Sequence, residues 1–275
     1  MSASIQHPGP ARRNPTTPQA FGDHLRHWRQ HRRLSQLDLA HEADISTRHL
    51  SFVETGRSVP SREMVLRLTE RLDIPLRERN ALLVAAGYAP MYRERPLADP
   101  ALDAARQAVE LLLKCHEPNP ALAIDRHWNL IAANRMVPAL MAGADALLLQ
   151  APVNVLRLSL HPQGIAKNIV NLVQWRSHLF ERLRQQVAAT ADPVLVELLA
   201  ELKAYPVHDS ASNDALEGEH AGVVMPFKFR TPAGVLTFIS TTTIFGSPVD
   251  VTLQELALET FFPADDFTRQ VLQSM

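Results

Sequence analysis

Residues 34–57 read LSQLDLAHEADISTRHLSFVETGR. Two short apolar-patterned runs stand close together, Leu37, Leu39 and Ala40 in the first and Ile45, Leu50 and Val53 in the second, with Asp44 breaking between them. Ser35 is placed to cap a helix over 36–43, and Ser46 to cap a second that runs to Thr55 and stops at Gly56. A break this short makes the two helices cross steeply, as in a helix-turn-helix. Ala40 is small where the helices approach, Ile45 plugs the turn, and Leu50 and Val53 point to a core. That leaves Thr47, Arg48, Ser51 and Phe52 on the outward side. A polar face with one forked donor, slim enough for a groove about 12 Å wide, is what reading base edges requires. Gln36, Arg57 and Ser58 fall where donors clamp phosphates, and Glu54 is read as a tie between the helix and its fold.

Working outward, Phe21, Leu25 and Trp28 recur at i, i+4 and i+7, which predicts a first helix. Ser61 opens a fourth, carrying Val65, Leu66, Leu68 and Leu72; Pro75 opens a fifth, with Leu76, Leu82, Leu83 and Ala86, closed by Gly87. Residues 20–90 therefore read as an all-α, five-helix helix-turn-helix domain. Residues 1–19, with four prolines and few apolar side chains, read as a disordered tail, and residues 91–100 as a linker. Residues 1–95 hold 15 basic against 10 acidic side chains, a net of +5. The chain totals of 28 and 29 leave 13 and 19 for the remainder, a net of −6. All four lysines lie in that remainder, so the basic portion relies on arginine, whose planar fork suits phosphates and guanine edges.

Residues 101–275 read as a second, α+β domain. Helix is expected over Ala101–Lys114, Ile165–Gln186, Pro193–Ala204 and Leu253–Phe261. Two short strands, ALAID and NLIAAN, flank Arg126-His127-Trp128, and the clearest strand pair, VVMPFKFRT and VLTFISTTTIF, flanks Pro232-Ala233-Gly234. Wound as a helix, IAKNIVNLVQWRSHLFERL gives an apolar stripe through Ile165, Ile169, Leu172, Val173, Leu179, Phe180 and Leu183, with Arg176 in its middle. A buried arginine needs a partner. Two readings stand: a structural role, through a fold carboxylate or a stem that reaches water, and a counter-ion for the acidic head of a ligand. A pocket lined by Leu236, Phe238, Ile244 and this helix would suit an apolar chain with one polar end, and the same residues would equally suit a packed core.

Cys115 is the only cysteine, which rules out an intrachain disulfide and a thiolate metal cluster; beside Leu111 and Leu112 it reads as a packing residue. His24, His27 and His31 share a helix face without a carboxylate or thiolate to complete a metal site. No nucleophile elbow, phosphate loop or zincin motif occurs. The expectation is a non-enzyme with no cofactor and no metal. No run approaches eighteen apolar residues and the N-terminus lacks a signal-peptide core, so the expected location is cytoplasmic, without membrane contact.

The pattern L-S-Q-x-x-L-A, then I-S-x-x-x-L-S-x-x-E-x-G-R and P-S, resembles the XRE-type, lambda-repressor-like helix-turn-helix regulators over Phe21–Tyr88. Many members carry glycine where Asp44 stands; aspartate tolerates the left-handed backbone better than most residues. PALAIDRHWNLIAAN, NVLRLSLHP, WRSHL and STTTIFGSPVDVTLQELALETFFP resemble the MmyB-like ligand-binding domain of such regulators over about Leu97–Phe267. That resemblance implies a PAS-like sheet with flanking helices around a pocket, and a fatty-acid-like effector. It places Asn134, Arg157, His161, Trp175, Arg176 and His178 on motif positions. The expected protein is a homodimeric, DNA-binding transcriptional regulator that senses an apolar acidic molecule. The alternative is a regulator whose second domain only dimerises or recruits a protein partner.

Overall fold

The computed structural model describes residues 18–206, 225–245 and 250–275. Most of the segment read as a tail, residues 1–17, lies outside the described residues, as do residues 223–224 and 246–249 of the strand and family motifs. The chain divides into two compact units, 1–93 and 94–275. No helix among the described residues is long and apolar enough to cross a membrane.

The first unit is five helices: α1 (Pro18–His31), α2 (Gln36–Glu42), α3 (Thr47–Glu54), α4 (Arg62–Arg71) and α5 (Leu76–Ala85). Each start has a local cause. Ser35 caps α2 in a reciprocal box with Asp38, and the Ser46 and Ser61 hydroxyls accept from His49 and Met64 N–H groups at 3.2 and 3.3 Å. Asp44 takes φ +54°, the left-handed conformation the turn demands, and Ile45 N–H then donates to Ala40 carbonyl at 2.9 Å. Phe21, Leu25, Leu39, Leu50, Val53, Leu68, Leu82 and Leu83 form the buried core. The approach of α1 to α3 depends on Gly22, where an added Cβ would lie 2.4 Å from the Glu54 carbonyl oxygen.

The second unit is an antiparallel five-stranded sheet in the order β2-β1-β5-β4-β3. Its strands are β1 (Ala121–Ile124), β2 (Leu130–Ala133), β3 (Pro226–Thr231), β4 (Gly234–Ile244) and β5 (Ala257–Pro263). Its helices are α6 (Asp103–Cys115), α7 (Val137–Met141), α8 (Val155–Leu160), α9 (Leu172–Thr190), α10 (Pro193–Ala204), α11 (Val251–Gln254) and α12 (Asp266–Gln273). On one face, α7–α10 bury Trp175, Leu179, Leu183 and Leu198 against Leu122, Phe227 and Phe238. On the other, Val109 and Leu113 of α6 settle on the small residues Ala121 and Ala123 and on Leu258. An N-terminal helical unit followed by this helix-flanked sheet is the all-α plus α+β organisation expected.

Four expectations are corrected. Leu253–Phe261 is not one helix: a single α-turn, α11, gives way to the central strand β5, which pairs with both β1 and β4. Its apolar run buries on both faces of the sheet, so it carries no clean alternation. The long helix begins at Leu172 rather than Ile165, because Val170 N–H donates to Lys228 carbonyl and Asn171 clasps β3 through Pro226 carbonyl and Lys228 N–H. With Ile165 and Ile169 outside the helix, the buried arc turns toward Trp175, Leu179 and Leu183, and Val173 is half-exposed. Cys115, Leu111 and Leu112 are exposed, so the thiol is not a packing residue. Ile244 is exposed as well and is absent from the wall of the cavity described below.

Candidate functional sites

On α3, Arg48 is exposed and Thr47, Ser51 and Phe52 are half-buried. The Arg48 guanidinium lies 5.4 Å from the centre of the Phe52 ring and that of Arg57 lies 5.9 Å from it. The Phe52 carbonyl accepts from both Arg57 and Ser58 N–H, at 2.8 and 3.1 Å, which folds the corner after Gly56 back onto the helix. Phe52 thus gathers two arginines, one from the face read as base-contacting and one from the corner read as phosphate-contacting. At an exposed site each such cation–π contact contributes about 0.5–1 kcal/mol.

Behind this face sits Glu54, whose side chain is fully buried. Arg29 donates to it at 2.6 and 3.0 Å, Gln36 Nε2 at 2.8 Å, and Arg26 Nε lies at 3.5 Å. Burial pushes the Glu54 carboxyl up, but the hydrogen bonds from Arg29 and Gln36 and the charges of Arg29 and Arg26 outweigh it and hold the pKa below the usual value. One carboxylate therefore joins α1, the start of α2 and the end of α3. The tie read from sequence is present, and it also orients Gln36.

In the second unit a cavity of about 90 Å³ opens between the sheet and helices α7–α9. That is several times the roughly 10–15 Å³ a single water needs. Its lining is apolar, with Leu122, Leu140, Met141, Ile165, Trp175 and Phe261 prominent, and its polar groups are Ser159, Arg182 and Glu259. Arg182 Nη1 and Nη2 donate to Glu259 at 3.1 and 2.5 Å, and Nη2 also reaches Thr242 Oγ1 at 2.6 Å. Thr242 donates to the same carboxylate at 2.8 Å. The guanidinium lies 4.8 Å from the centre of the Trp128 ring, whose Nε1–H donates to Gln186 at 2.7 Å. Trp175 Nε1–H donates to Ser159 Oγ at 3.2 Å.

Of the six motif positions, Trp175 lines this cavity and the other five do not; Ile165 and Leu179 of the expected apolar stripe line it, whereas Leu236 and Phe238 do not. Phe238 is fully buried in the core beside it. His178 packs on Trp175 with ring centres 5.4 Å apart; burial, then the nearby Arg182 charge, lowers its pKa, against a weaker opposing pull from Glu259. Asn134 pins the end of β2, accepting from Ala121 and Met136 N–H and donating to the carbonyls of Leu113 and Asn119. Arg157 chelates Glu201, and His161 packs edge-on against Tyr205, whose hydroxyl also donates to Glu201 at 2.5 Å.

Arg176 is the sharpest revision. It is neither ion-paired to a carboxylate nor turned to the cavity: it donates to the carbonyls of Leu202, Lys203 and Tyr205 at 3.0, 2.8 and 2.9 Å, closing the C-terminus of α10. Orphan carbonyls at a helix end are a natural anchor for a cation. Arg182 and Glu259, which sequence reasoning passed over, supply the cavity's charge. The available signal was an arginine two turns before the end of a helix rich in polar residues, with a lone glutamate in the apolar run LALETFF.

Comparison with known proteins agrees with both halves of this picture. Residues 20–82 match a family described as a helix-turn-helix domain. Residues 105–275 match the family described as MmyB-like transcription regulator ligand binding domain. The chain belongs to the MmyB-like transcription regulators. No curated protein sequence matches this regulator. Two crystal structures of the clp gene regulator ClgR from Corynebacterium glutamicum are similar to parts of it. One is 26% identical, covering 26% of this chain and 87% of that chain with a TM-score of 0.23. The other is 24% identical, covering 37% of this chain and 94% of that chain, also with a TM-score of 0.23. As an MmyB-like regulator the protein binds DNA through its helix-turn-helix unit and carries a ligand-binding domain.

Proposed function

We propose that this regulator recognises a specific operator through Thr47, Arg48, Ser51 and Phe52, with Gln36, Arg57 and Ser58 on the flanking phosphates. Its α+β unit, in this reading, senses an apolar small molecule. The observation that carries the DNA half is the Arg48–Phe52–Arg57 stack on the outward side of α3. In this reading one guanidinium meets a groove and the second a backbone, both held beside the same aromatic ring. The sensing half rests on the apolar cavity with one charged pair in its wall. Of the fatty-acid-like effector that the family resemblance implies, the cavity supports the apolar body. The proposed working form is a cytoplasmic homodimer reading two half-sites about one helical turn apart, with effector binding shifting the spacing of its reading heads.

Selection of bound duplexes from a randomised pool, followed by competition against unselected DNA, tests this reading. Enrichment of a two-fold symmetric site, lost in Arg48→Ala, is expected. A pool that emerges unenriched after repeated rounds would refute sequence-specific recognition.

A further inference from the structure

The charge in the cavity wall is already balanced. Among the described residues that line it, Arg182 and Glu259 are the charged ones, and they pair with each other at 2.5 and 3.1 Å. Glu259 is 5% exposed and takes a third bond from Thr242. His178, beside Trp175, is pushed toward its neutral form by burial and by the Arg182 charge, so it adds no second cation. A ligand carboxylate entering this wall would share Arg182 with a carboxylate that already holds both of its terminal nitrogens. It would give up its hydration and meet Glu259 at short range, a combination that strongly disfavours binding. A ligand cation meets the mirror-image penalty from Arg182.

A neutral polar group has no such conflict. Glu259 and Thr242 occupy the Nη atoms of Arg182 and leave its Nε–H unengaged by either. The remaining lone pairs of Glu259 and the Ser159 hydroxyl, which accepts from Trp175, stand in the same wall. A hydroxyl, ester, amide or lactone carbonyl can donate or accept here without adding charge.

Resting on the reading that an apolar effector occupies this cavity, we propose that its polar end is uncharged, and that the Arg182–Glu259 pair selects neutral amphiphiles against free carboxylates. Specificity of this sort comes from a repulsive element as much as from an attractive one. Glu259 is that element, and Arg182 supplies the attraction.

The test compares octan-1-ol with octanoate on the full-length protein at about pH 8, where a carboxyl with an ordinary pKa is ionised. Calorimetry gives the affinities, and the indole N–H resonances of Trp128 and Trp175 locate the site, with Trp28 of the other unit as the unshifted control. Octan-1-ol is expected to bind at least about tenfold more tightly than octanoate, the least that one uncompensated charge should cost. Glu259→Gln removes the repelling charge and is expected to raise octanoate affinity relative to octan-1-ol by a similar factor, closing the gap between the two probes. Octanoate binding the unaltered protein as tightly as octan-1-ol, with both indoles shifting, would overturn neutral selection and leave the sensing reading intact. Neither probe shifting Trp128 or Trp175 would instead remove the sensing reading, and this inference with it. If Glu259→Gln fails to fold, the comparison on the unaltered protein decides alone.

Discussion

Replacing Glu54 by glutamine keeps the side chain's shape and removes its charge at the junction of α1, α2 and α3. Glu54 is fully buried and Arg29 nearly so, and their two hydrogen bonds, 2.6 and 3.0 Å, are backed by Gln36 at 2.8 Å. Breaking a buried pair by removing one partner costs about 3–5 kcal/mol, because the other charge stays behind without compensation. Arg29 retains one bond to Leu34 carbonyl at 2.8 Å, and Arg26, 37% exposed, adds little in water, so we place the loss at the lower end, about 3 kcal/mol. For a unit of this size that is a large share of the total stability. The sign with pH is fixed by the depressed folded-state pKa. The pair's contribution is full above the unfolded value near 4.5 and disappears as pH falls through the lower, folded value. The gap between the unaltered protein and Glu54→Gln should therefore be constant from neutral pH to about 5 and close in acid. The indole N–H resonance of Trp28, buried in the first unit, followed through a urea titration at several pH values, reads that unit alone. A gap under about 1 kcal/mol, or one that persists unchanged at the acid end, would refute the reasoning.

Other substitutions probe other joints. Arg176→Leu removes three bonds to the end of α10 and should cost about 2 kcal/mol, seen as a melting shift of about 4–8 °C, with effector affinity unchanged in calorimetry. Lost effector binding without a melting shift would restore the counter-ion reading. Arg48→Ala should weaken operator binding by about 1–3 kcal/mol and relax the preference at one base position, read by competition with single-base variants of the operator. Gln36→Ala should weaken all duplexes alike and, because its amide carries no charge, leave the dependence of affinity on salt unchanged, measured over a salt series. Gly22→Ala forces α1 away from the Glu54 carbonyl and should cost about 1–3 kcal/mol in the same Trp28 titration; an unchanged midpoint would show that the helices yield freely.

The helix-turn-helix was legible because its signals are local. Ser35, Ser46 and Ser61 each cap the helix that follows, and Asp44 sits where a left-handed residue is needed. The β3–β4 hairpin was equally plain from β-branched runs around Pro232-Ala233-Gly234. What failed was non-local. LALETFFP looks helical by composition but is a central strand, because only neighbours on both sides make it one. The cavity's charged wall was invisible for the same reason: Arg182 and Glu259 stand 77 residues apart, and neither sits in a motif that names its partner. Arg176 misled through a wheel that included Ile165 and Ile169, which lie ahead of the helix, Ile169 bridged to Phe229 of β3 and Ile165 in the cavity wall.

Coupling between the two units is the claim on which the regulatory account stands. The most direct measurement is the dissociation constant for the selected operator, taken at fixed salt with octan-1-ol raised from none to saturation of the cavity. The account predicts a saturable change in operator affinity that tracks cavity occupancy, with unselected DNA unaffected and with Arg48→Ala holding no operator preference at any occupancy. A single dissociation constant throughout, with the cavity demonstrably filled, would contradict it.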